Sequence, residues 1–91
     1  MKWTPEEEQR IQRTVSGITA LDHSQIANRI RELRLEVKGL KSSTKHHQRR
    51  GESGEPLRRE AALLNEVMGR INAALLANEV TRLFNESKKN H

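Results

Sequence analysis

Ninety-one residues, a net charge of +5 and no cysteine set the first limits on this chain. It is long enough for one small domain, which buries only about 60% of the surface its unfolded form exposes. Disulfides and thiolate metal sites are excluded, and the longest apolar runs, such as Ala73 to Ala77, are far too short to span a bilayer.

Apolar residues make up 33% of the sequence and aromatics 2%, Trp3 and Phe84 alone, so the core must be built from Leu, Ile, Val and Ala. Val, Ile and Thr never alternate over a strand length, so an all-α fold is expected. The N-terminus is acidic where a secretory signal would be hydrophobic, which points to a soluble intracellular protein, nuclear or cytoplasmic, with no membrane association.

Thr4-Pro5-Glu6-Glu7 is a dense helix start. Thr4 can cap, Pro5 suits the first helical position, and Glu7 sits where a capping-box partner belongs. The first helix is expected over 5–16, with Ile11, Val15 and Ile18 inward, Gly17 ending it, and Trp3 as an apolar staple over its first turn.

The second helix starts at Asp22 or Ser24 and covers about 23–48. Ile26, Ile30, Leu33, Val37 and Leu40 are spaced four, three, four and three, a narrow apolar seam suited to docking on a helix. Arg31, Arg34, Lys38, Lys41 and Lys45 repeat one position later as a parallel basic stripe, extended by Arg49 and Arg50. A break at 39–42 would give a fourth, short helix over Thr44 to Arg50. Continuity through Gly39 costs about 1 kcal/mol relative to alanine, and Leu40, which completes the seam, favours it. Lys41 to Arg50 holds no aliphatic residue and is expected to fray without a partner.

Gly51-Glu52-Ser53-Gly54 is the clearest break, and Pro56 opens the last helix, expected over 56–85 with a polar tail at 86–91. Its apolar face is broad: Leu57, Ala61, Leu64, Met68, Ile71 and Leu75, widened by Leu63, Val67, Ala74, Val80 and Leu83. The whole is one helical domain, 1–91: a three-helix bundle, or four helices if Gly39 breaks the second, built on a long antiparallel hairpin.

The charge is concentrated. Residues 29–50 carry eight basic and two acidic groups, whereas the segments on either side are nearly balanced. Cations repeated along one line are what phosphate neutralisation requires. The plainer alternative is a solvated face whose lysines and arginines cover the seam with their stems.

The N-terminal half also resembles a Myb/SANT repeat. Trp3-Thr4-Pro5-Glu6-Glu7-Glu8 matches the opening of such repeats, and His23-Ser24-Gln25-Ile26-Ala27 matches their second helix, with His23 where the family has a tryptophan. The resemblance implies a recognition helix over Ser42 to Arg50, with Lys45, His46, Gln48, Arg49 and Arg50 facing DNA.

Other chemistry is not expected. His46 and His47 point about 100° apart on a helix and cannot share an ion, and His23 and His91 add no zinc spacing. No nucleophile sits with a base and no glycine-rich phosphate loop is present, so neither an enzyme, a cofactor nor a small-molecule substrate is expected. Two functions remain: a small regulator that binds nucleic acid, duplex DNA above all, through the basic stripe, or an adaptor that docks an acidic or helical protein through the seam. A homodimer through that seam would supply the area that three helices lack.

Overall fold

The computed structural model describes residues 2–89, and among them it contains three helices and no strand: α1 (Pro5–Thr19), α2 (His23–Arg49) and α3 (Glu55–Lys89). Thr4 caps α1 as its sequence predicts. Its hydroxyl accepts from the Glu7 N–H at 3.1 Å, and the Glu7 carboxylate accepts from the Thr4 N–H at 2.9 Å. Asp22 caps α2, accepting from the Gln25 N–H at 2.9 Å.

α2 ends in a Schellman turn. Gly51 takes a left-handed φ of 77°, and the Glu52 N–H reaches back to the His47 carbonyl at 2.9 Å. The turn returns the chain as α3, antiparallel to α2. α1 lies along α3 in the same direction, with Glu7 beside Arg59 at one end and Thr19 near Leu75 at the other. α1 touches α2 far less than α3 does, so α3 is the common wall.

The core is one cluster drawn from all three helices: Ile11 and Ile18 of α1, Ile26, Leu33 and Val37 of α2, and Ala61, Leu63, Leu64, Val67 and Ile71 of α3. Ion pairs close it along the α1–α3 border. Glu7 receives Arg59 at 2.8 and 2.5 Å, Glu8 receives Arg70 at 2.5 and 2.7 Å, and Arg10 meets Glu60. Arg59 also donates to the Lys2 carbonyl at 3.0 Å and stands 5.0 Å from the centre of the Trp3 ring. Trp3 is therefore held across the helix interface by a guanidinium. The residue four positions into α1, where a staple would need an apolar partner, is Glu8.

Several expected boundaries move. Gly17 does not end α1, which runs on to Thr19, whose hydroxyl donates to the Val15 carbonyl at 2.8 Å. α2 is unbroken through Gly39, so there is no fourth helix among the described residues, and Ser42 to Arg49 are its last turns, with Arg50 as C-cap, instead of a separate recognition helix. Those turns are not an unsupported end. Thr44 is buried, donating to the Leu40 carbonyl at 2.8 Å, and packs on Gly54. α3 continues past Asn85, so Glu86 to Lys89 is helix, while the rest of the expected tail, Asn90 and His91, lies outside the described residues.

The molecule is long, 65 × 27 × 17 Å, with a Cα radius of gyration of 17.1 Å where a compact chain of this length has about 12 Å. It exposes 6938 Å², against about 5,400 Å² for a compact 10.5-kDa monomer. The excess arises because α3 outruns its neighbours: every residue from Leu76 to Lys88 is exposed. No helix among the described residues is long and apolar enough to cross a membrane.

Candidate nucleic-acid interface

Burial divides α2 lengthwise. Ile26, Leu33 and Val37 are buried, and Ile30 and Leu40 pack partly buried against the same core. Seen down the helix, Arg31, Arg34, Lys38, Lys41, Lys45 and Arg49 lie on the flank beside this seam, and Arg50 is the C-cap. All seven are exposed, and among the described residues none enters an ion pair.

Elsewhere pairing prevails: Arg10, Arg29, Arg58, Arg59, Arg70 and Arg82 each face a glutamate, whereas Arg13, exposed on α1, has no such pair among the described residues. The pairs of Glu7, Glu8 and Glu60 keep those acids on the α1–α3 border, away from the stripe. Arg59 and the Thr4 N–H together lower the Glu7 carboxyl to about 2, Arg70 lowers Glu8, and Arg10 lowers Glu60. The partner guanidiniums Arg59 and Arg70 are raised in turn. These three carboxylates stay ionised and locally neutralised on the α1 side, leaving the positive field to α2.

Folding adds residues that the stripe alone does not reveal. On the α2–α3 face a cleft of about 440 Å³ is walled by Lys41, Lys45 and Gln48 on one side and by Arg58 and Asn65 on the other, with Ala61 and Ala62 beneath. The antiparallel return brings Arg58 there from the first turn of α3. The spacing of α2 carries no trace of it; the signal was Arg58-Arg59 in the turn that Pro56 opens, given a hairpin that folds back. Arg58 also pairs with Glu55 at 2.9 Å, an exposed contact that an anion can displace at little cost.

His47 and the apolar seam of α2 are engaged within the chain. The His47 ring lies 2.8 Å from the Ser43 carbonyl by its Nδ1 and 3.5 Å from the Glu52 carboxylate by its Nε2, so it closes the Schellman turn. No group of three metal-ligating side chains forms among the described residues. The seam Ile26, Ile30, Leu33, Val37 and Leu40, expected as a surface for a partner, is closed within the chain, because the helix it docks on is α3. The exposed apolar side chains are elsewhere, most of them on the last turns of α3.

No protein-family model, no curated protein and no solved structure matches this chain.

Proposed function

We propose that the chain is a small nucleic-acid-binding regulator that holds the phosphates of duplex DNA or RNA along the exposed flank of α2, in the nucleus or cytoplasm. The observation that carries this reading is the segregation of charge: six exposed cations on one flank of α2, with Arg50 at its C-cap, have no carboxylate partner among the described residues, while six of the seven other arginines face a glutamate. From Arg31 to Arg49 the unbroken helix spans about 27 Å, the rise of roughly eight base pairs. Thr44, Gln48 and Asn65 are the neutral polar side chains of the cleft, Thr44 being buried and bonded to the Leu40 carbonyl, and no aromatic ring lies there for stacking. Binding should therefore depend on backbone charge more than on base sequence. The reading rests on charge placement and not on the Myb/SANT resemblance.

Fluorescence anisotropy with random-sequence duplex at two salt concentrations tests it. Five to seven phosphate contacts give a log–log salt slope of about −4.5 to −6.3. Reversing Lys38, Lys41 and Lys45 to glutamate should abolish binding. Absence of affinity at low salt, or indifference to the reversal, sinks the reading.

A second reading, an interaction module, has its own support in the exposed apolar side chains Leu76, Val80, Leu83 and Phe84.

A further inference from the structure

α3 is apolar on two sides. Its first side meets the core through Leu64, Val67 and Ile71, and continues to the partly buried Leu75. At 100° per residue, Leu76, Val80, Leu83 and Phe84 project from 100° to 200° away from Leu64, on the flank turned from the bundle. They are 66%, 58%, 52% and 60% exposed, with Ala73 and Ala77 between them. Arg82 still lines a cleft with Thr19, His23 and Ile26, but beyond it α3 runs on alone, and a helical segment of this length is marginal in water by itself. Ala73, Leu76, Val80 and Leu83 follow the three-four rhythm of a two-helix seam.

We propose that this outer face of α3 is a homodimer interface, in which the last turns of α3 from two copies pack antiparallel about a two-fold axis at Val80. Charge argues for a second copy and for its direction. Between Leu76 and Lys88 the charges balance, Glu79 and Glu86 against Arg82 and Lys88, so two copies of a chain that is +5 overall meet there without repulsion. A parallel pairing would set two basic α2 segments side by side, whereas the antiparallel one places them at opposite ends. Size agrees: the excess of about 1,500 Å² over a compact monomer exceeds the roughly 800 Å² that each partner buries in a standard interface. About that axis Val80 meets Val80 of the second copy, Leu76 lies level with Phe84, and Leu83 lies level with the small Ala77, a self-complementary arrangement.

Sedimentation equilibrium over micromolar to millimolar concentrations, together with single-cysteine crosslinking in a chain that has no cysteine of its own, tests this. The wild type should approach twice its monomer mass. The Leu76→Glu/Leu83→Glu variant, altered only at exposed positions, should keep its helical circular dichroism and remain monomeric. Val80→Cys should form a disulfide-linked dimer. Leu76→Cys should not, because its two copies stand about 12 Å apart along the axis and a disulfide spans less than about 7 Å between Cα atoms. Leu35→Cys, exposed on α2, should also fail to link. A wild type that stays monomeric throughout, even if it binds lipid vesicles, overturns the proposal, as does undiminished dimerisation of the double variant. Equal linking at Leu76 and Val80 overturns the antiparallel arrangement. None of these readouts involves nucleic acid, so failure here and failure of the proposed function are separate results.

Discussion

Gly54 and Thr44 are in such close contact that a Cβ on Gly54 would stand 2.8 Å from the Thr44 Cγ2 and 3.4 Å from its carbonyl oxygen. The α2–α3 hairpin closes at this point, beside the proposed binding cleft. Gly54→Ala should destabilise the chain by about 1–3 kcal/mol through overpacking, read as a lower urea midpoint. Thr44→Ser removes the offending methyl while keeping the hydroxyl, so the double variant should recover part of the loss. If alanine at 54 is neutral, the contact is looser than 2.8 Å implies.

Acid should undo the α1–α3 border. Glu7, Glu8 and Glu60 have carboxyls below their ordinary value of 4.5, Glu7 down to about 2. Such groups bind fewer protons folded than unfolded, so their contribution is present above pH 4.5 and is lost as pH falls towards 2. Glu7→Gln should lower the midpoint at pH 7 and flatten its fall between pH 5 and 2. A fall as steep as that of the wild type would remove Glu7 as its source.

Gly39 offers the opposite test. It lies inside α2 with open space where a Cβ would go. Gly39→Ala should stabilise the chain by about 1 kcal/mol. Because the stripe depends on a straight α2, the same variant should bind duplex at least as well as the wild type. Loss of binding would mean that α2 bends at this glycine in the complex.

Arg58 separates the folded cleft from the linear stripe. Arg58→Ala should weaken duplex binding evenly across sequences and make the salt slope shallower by about one. An unchanged slope would confine the contact to α2.

The fold was readable where a local rule decided it. Thr4 and Glu7 specify a cap by type and spacing, Gly51 supplies the left-handed turn, and the seam from Ile26 to Leu40 needed only a wall to pack on. Gly17 misled because a glycine near a helix end suggests a stop, yet it sits with open space around it and Thr19 extends the helix past it. Val80 and Leu83 misled because a broad apolar pattern does not say on which side its edge lies; only the ends of α1 and α2 show that these residues are uncovered. The alignment of Arg31 to Arg49 along one flank was legible, since it belongs to one helix, whereas Arg50 turns out to be the C-cap. Arg58 in the cleft and Glu7 on Arg59 join positions far apart in sequence, which no single spacing encodes.

That separation bears on the order of folding. α2 and α3 are joined by a short turn, so they close on each other at small entropic cost. α1 must instead find Arg59, Glu60 and Arg70, 50 to 62 positions away, and those groups are set in line only once α3 is formed. α1 should therefore dock onto a hairpin already in place. In stopped-flow measurements Glu8→Gln should speed unfolding and leave the folding rate nearly unchanged. A slowed folding limb would put α1 in the nucleus instead.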